Sequence, residues 1–345
     1  MEKLLSREDP TGIDERLAAL RNAHKAIETT QRLTGDASTR TYYRVHYSDG
    51  STAVVMLQPE PGRNLEASFL DVQRFLERLG LSVPKIYLHD PKAGLLVIED
   101  LGDDLLETVV ERSKDSRIRD LYVFAVDLLV RMRHRTRGLE PLCGAHRLAF
   151  DQQKLMEELH FFMTHFVKGL CRMSPSESAE ADLETFFATI SSMLASQPRI
   201  FTHRDFHSRN LILHRDRLVM IDFQDARMGP AQYDLASLLR DSYVTLPEDL
   251  VSELLNYYMH EFPNTDQDQF RYVFDVMSLQ RNIKALGTFG YQIYMRHASR
   301  YASSIPRTAA YVARNIQQYP EFSVFRAAVE DFICSPATEF QGSWT

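Results

Sequence analysis

Cysteine is scarce. The three present, Cys143, Cys171 and Cys334, are scattered and odd in number, with no C-x-x-C pair. That argues against a disulfide framework and a thiolate zinc site, and it suits a reducing compartment. An excess of positive charge is missing too. Forty Lys and Arg stand against 47 Asp and Glu, a net charge of −7, which disfavours nucleic acid or an anionic membrane as partner. Long apolar runs are absent: the most apolar helical stretch, LYVFAVDLLV (121–130), is short and broken by Asp127. The opening MEKLLSREDP has no apolar core and no small-residue cleavage site, so a cytoplasmic protein is expected. There is no internal repeat and no low-complexity segment.

The chain has 345 residues, 44% of them hydrophobic, enough for one large bilobal unit or two domains. Its first third is strand-like. YYRVHY (42–47), TAVVML (52–57), KIYLHD (85–90) and GLLVIED (94–100) are rich in β-branched and aromatic residues. Asp49-Gly50 between the first two predicts a tight hairpin turn. Helices are expected over 12–24 and 65–80. In the latter, Phe69, Val72, Leu76 and Leu79 share a face, and Gly80 suits the C′ position.

Beyond residue 101 the pattern is helical, over 116–136, 151–170, 177–195, 233–243, 248–261, 267–300, 306–318 and 321–334. One hairpin interrupts it, LILH (211–214) and LVMID (218–222) about a polar turn. The expectation is an α+β protein with a small antiparallel-sheet lobe, 1–101, and a larger helical lobe, 102–345.

The chemistry concentrates immediately before that hairpin, in FTHRDFHSRN (201–210). Asp205 is followed five residues later by Asn210, and Asp222 ends the second hairpin strand. Loop, strand, turn and strand can bring the three together. Asn210 and Asp222 offer hard oxygen ligands suited to Mg²⁺. Asp205 is left to orient a hydroxyl nucleophile, the layout of phosphoryl transfer. A second HRD triplet, 214–216, serves as a control: five residues past Asp216 stands Ile221, which binds no metal.

FTHRDFHSRNLIL, VMIDFQDARMGPAQYDLASLLRD, VPKIYLHD and LLVIEDLGDD together resemble the aminoglycoside phosphotransferase and choline kinase group, of protein-kinase-like fold. GDASTRTYYRV (35–45) and LQRNIKALGTFG (279–290) narrow the likeness to bacterial kinases of the anomeric hydroxyl of N-acetylmuramate and N-acetylglucosamine in cell-wall recycling. The resemblance implies ATP as donor and Mg²⁺ as cofactor. It makes Asp205 catalytic, Asn210 and Asp222 metal ligands, Asp234 a brace of the loop with His203 beside it, and Glu99 and Leu101 hinge positions at the adenine. It further implies a small-molecule sugar acceptor, with no nucleic-acid, membrane or obligate protein partner.

The chain departs from the wider kinase pattern in one respect. TAVVMLQPE has no lysine where the third strand usually supplies one to the phosphates; Met56 or Gln58 stands there. Arg40 or Arg44, beside a phosphate loop formed by Gly35 to Ser38, can substitute; an ordinary hairpin turn is the alternative. Arg209, Gln224, Asp225, Arg240 and Lys284 are expected at the acceptor, Lys284 for a substrate carboxylate; a tether of the loop is the alternative for Arg209. A salt bridge is the alternative for Arg240. Arg281 is expected to form a surface pair, and RMRHRTRG (131–138) to be the solvated last turn of a helix. Kinases of aminoglycosides, choline or homoserine, and an inactive kinase-like binding module, are the competing functions. A protein kinase ranks last for want of an APE-like segment after IDF.

Overall fold

The computed structural model describes residues 26–33, 41–58, 67–139 and 143–338. The helix expected over 12–24 lies outside them. The chain divides into two compact units, one running through residue 67 and resuming over 84–102, the other comprising 68–83 and everything from 103.

The first unit is a five-stranded antiparallel sheet of order β1-β2-β3-β5-β4. Its strands are β1 (Ile27–Leu33), β2 (Thr41–Tyr47), β3 (Thr52–Leu57), β4 (Ile86–Asp90) and β5 (Leu95–Glu99). Alternation places Tyr43, Val45, Val55 and Val97 in one apolar layer. Asp49 turns β2 into β3 by accepting from Ser51 N at 3.0 Å, while Gly50 takes φ 77°. β1 is exposed along most of its length and carries no alternation, so no periodic signal marks it in the sequence.

Helices dominate the second unit. Helix α1 (Ala67–Arg78) buries Phe69, Val72 and Leu76 as expected, and Gly80 closes it at φ 65°. A short helix, α2 (Leu106–Glu111), precedes α3 (Asp115–Thr136), α4 (Gln152–Phe162) and α5 (Glu177–Ala195). The helix expected over 151–170 changes to wider π-type turns after Phe162. Strands β6 (Arg199–Thr202) and β9 (Arg227–Pro230) pair with each other. Between them stands the hairpin of β7 (Leu211–His214) and β8 (Arg217–Met220). Its loop is two residues, Arg215 and Asp216, both at positive φ, the form that matches strand twist. The second HRD triplet is thus a turn.

Helices α6 (Gln232–Leu239), α7 (Glu248–His260), α8 (Gln267–Tyr294) and α9 (Ile305–Gln318) follow. The last helical stretch expected, 321–334, is instead broken into short 3₁₀, α and π turns. Helix α8 ends at Tyr294, short of the expected 300. It crosses α4 and the π turns backbone to backbone: a Cβ at Gly287 would lie 2.7 Å from Phe162 Cα, one at Gly290 2.5 Å from the His165 carbonyl. That approach positions Arg281 and Lys284 on the preceding turns. Among the described residues no helix is long and apolar enough to cross a membrane.

Candidate active site

The hairpin register determines who meets whom. Leu211 pairs with Met220, and Ile221 N donates to Asn210 O at 3.0 Å, so the ladder extends one step past the strands. Asn210 enters β7 just as Asp222 leaves β8. The Asn210 amide nitrogen lies 3.5 Å from Asp222 Oδ2 and donates to the Asp205 carbonyl at 2.9 Å. With Nδ2 fixed there, Oδ1 is the amide atom left to serve a cation. Gln224 donates to Asp222 Oδ1 at 2.7 Å. A neutral amide oxygen and a carboxylate fit a hard divalent ion whose remaining ligands come from phosphate and water.

The loop that carries Asp205 is held under strain. Arg204 sits at φ 84° and Asp222 at φ 63°, both in the left-handed region that non-glycine residues avoid. Asp234 on α6, buried, accepts from His203 N at 2.7 Å and from Arg204 N at 3.0 Å. The Arg204 carbonyl is taken by Arg281 Nη1 at 2.9 Å. Farther along, Asp241 accepts from Ser208 N at 2.9 Å and Tyr243 N at 2.9 Å. Burial pushes the Asp234 carboxyl up to about 7 and that of Asp241 up to about 6, against the peptide bonds that lower both. Replacing Asp234 by Ala strands the buried His203 N–H and the half-buried Arg204 N–H. We expect a loss of roughly 2–5 kcal/mol, read from urea unfolding midpoints; an unchanged midpoint would deny the brace.

Electrostatics converge on Asp205. Burial alone would raise its carboxyl, but Lys284, Arg204 and Arg281 outweigh this and hold it well below the usual carboxylate range. Lys284 Nζ lies 3.3 Å from Oδ1, and Arg204 Nε 3.9 Å from Oδ2. Arg204 also reaches Asp225 at 3.2 Å and the buried Glu158 at 3.6 Å. Glu158 in turn accepts from Gln280 at 3.1 Å. His203 packs edge-on against Phe206 and Phe223, and burial pushes it down to about 4; burial likewise takes His207 down to about 3.

The structure thus brings Asp205, Asn210, Asp222, Gln224, Asp225 and Lys284 into one neighbourhood, braced by Asp234. Three expected ligand contacts are committed elsewhere. Arg240, expected at the acceptor, makes two 2.9 Å bonds to Glu248 with its own side chain only 3% exposed. Arg209 grips Glu107 at 2.7 and 2.9 Å and lies on the Tyr243 ring, tying the loop to α2. Arg44, expected at phosphate, pairs with Asp100 through two nitrogens at 2.9 and 3.1 Å. Lys284, expected for a substrate carboxylate, faces Asp205. Arg281 leaves the surface for the Arg204 carbonyl.

Glu99 N donates to the Lys85 carbonyl at 2.8 Å, and Leu101 is buried. Gly35, Ser38 and Arg40 lie outside the described residues. Glu158 was missed because a lone acidic residue in an ordinary helical stretch carries no motif.

Known proteins are similar to this chain along most of its length. An N-acetylmuramate/N-acetylglucosamine kinase of Neisseria meningitidis serogroup B is 31% identical over 307 residues, covering 86% of this chain and 89% of the relative. A protein of the same name from Pseudomonas aeruginosa is 28% identical over 296 residues, covering 84% of each. The ADP-bound aminoglycoside phosphotransferase APH(2'')-Ib has the same fold, with a TM-score of 0.63 at 16% identity, over 92% of this chain and 99% of that one. The family model of the phosphotransferase enzymes matches residues 29–271, more than half of the sequence, and the chain belongs to that family.

Proposed function

We propose that this protein is an ATP-dependent kinase that phosphorylates the anomeric hydroxyl of an N-acetylated amino sugar, N-acetylmuramate or N-acetylglucosamine. The product is the sugar 1-phosphate, formed in the reuse of cell-wall sugars. The observation that carries the reading is the meeting of Asp205, Asn210 and Asp222 at the open end of one hairpin. The names of the relatives support the sugar class.

In this reading Asp205 accepts the hydrogen bond of the sugar hydroxyl and aims its oxygen at the γ-phosphorus. Asn210 Oδ1 and Asp222 hold Mg²⁺, which when bound neutralises phosphate charge. Lys284 fixes the orientation of the Asp205 carboxylate and adds a cation beside the transferred group. Glu99 and Leu101 supply the backbone that meets adenine. Gln224 and Asp225 face the acceptor.

The electrostatics favour the anomeric position. A carboxylate held well below its usual range is a weak base. An anomeric hydroxyl is more acidic than an ordinary alcohol and needs only weak help.

The test is phosphate transfer to reducing sugars and to their 1-O-methyl glycosides. Product is expected with the reducing N-acetyl sugars and none above background with the glycosides. Transfer to a 1-O-methyl glycoside would put the phosphate on another hydroxyl and overturn the assignment.

A further inference from the structure

We propose that a second site, apart from the Asp205 neighbourhood, binds an organic phosphate in a cleft at the C-terminal end of α3. The cleft has a volume of about 640 Å³, within the range of small-molecule sites. Its lining includes Arg133, Arg137, His146, Arg199, Glu261 and Phe262. No residue of the 203–210 loop or the 221–225 segment lines it, nor does Lys284.

The arginine-rich end of α3 resolves into two pairs of different purpose. Arg131 bonds Asp127 at 2.8 Å, and Arg135 caps the carbonyls of Leu79 and Gly80 at 2.7 Å each. Those two serve the fold. Arg133 and Arg137 line the cleft instead. The Arg133 guanidinium lies 3.8 Å from the centre of the Phe262 ring and donates to Tyr258 Oη at 3.3 Å. Ring and hydroxyl orient it without neutralising it. Arg137 is exposed, and among the described residues it has no carboxylate partner.

Helix-end cations are ordinarily explained by the macrodipole, and that explanation covers Arg133 and Arg137. It does not cover Arg199, which comes from β6, is exposed, and likewise has no carboxylate partner among the described residues. Three guanidinium groups from two elements therefore line one cleft with a single carboxylate, Glu261, in a chain of net charge −7. Guanidinium forks match phosphate oxygens in pairs. Phe262, Ile200 and Leu139 supply apolar wall for an uncharged body. The chemistry selected is a phosphate head on a small organic group.

Calorimetric titration of the full chain, without divalent metal, with inorganic pyrophosphate and with uridine 5′-monophosphate tests this. We expect one site per chain with Kd below about 1 mM. The double variant Arg137→Ser/Arg199→Ser should weaken it at least about tenfold, since each lost charged hydrogen bond is worth that much or more. Both residues are exposed and, among the described residues, have no carboxylate partner, so the variant keeps its fold. Asp222→Ala should bind both probes as the wild type does. Affinity unchanged in the double variant, no binding in the wild type, or binding lost in Asp222→Ala would each overturn the proposal. None of these results depends on the acceptor proposed for Asp205.

Discussion

Asp205→Asn is expected to lower turnover by roughly 10²–10⁴-fold while leaving ATP affinity close to that of the wild type. The substitution keeps the side chain's size and leaves the peptide contacts of the loop untouched, because those are made by Asp234 and Asp241. What disappears is the negative charge that orients the acceptor hydroxyl and balances Lys284 at 3.3 Å. Nucleotide binding rests on other residues in this reading, so it survives. Steady-state kinetics with N-acetylglucosamine, paired with a nucleotide titration, gives both numbers. Wild-type turnover would remove Asp205 from the chemistry. Loss of nucleotide binding along with turnover would instead point to a collapsed loop, and the strained φ of Arg204 makes that distinction worth measuring.

Some of this was legible in the sequence, and the reason is distance along the chain. The hairpin of 211–220 and the spacing of Asp205, Asn210 and Asp222 lie within 18 residues, where strand period and turn chemistry dictate geometry. Helix α1 was readable from one apolar face, and β3 from its β-branched run. Strand β1 was not, because it buries too little to alternate; β6 and β9 are four residues each and too short to show a period.

The ionic partners were the least legible. Lys284 reaches back 79 residues to Asp205 and Arg209 back 102 to Glu107. Long cationic side chains choose among carboxylates by tertiary position, which local pattern does not encode. Arg240 illustrates the consequence: its charge suggested a ligand contact, but it is buried and takes Glu248 eight residues on. A buried guanidinium must find a carboxylate within the fold before it can offer itself to a ligand.

Lys284→Met tests the feature of the site that the sequence assigned to a different task. Had Lys284 gripped a substrate carboxylate, its loss would weaken N-acetylmuramate, which carries one, more than N-acetylglucosamine, which does not. Paired with Asp205 instead, it should matter equally to both, with turnover down roughly 10–10³-fold at neutral pH. The pH dependence separates the cases further. Burial raises the Asp205 carboxyl, and Lys284 leads the cations that bring it down. In the wild type the group stays ionised throughout the working range, so kcat/KM should show no acid limb from it between about pH 5 and 8. Removing Lys284 lets burial weigh more, the carboxyl rises, and its charged form is lost at a higher pH. The variant's kcat/KM should therefore gain an acid limb from Asp205 that the wild type's profile lacks. Superimposable pH profiles would mean that Lys284 does not tune Asp205, and a loss confined to N-acetylmuramate would return it to the substrate carboxylate.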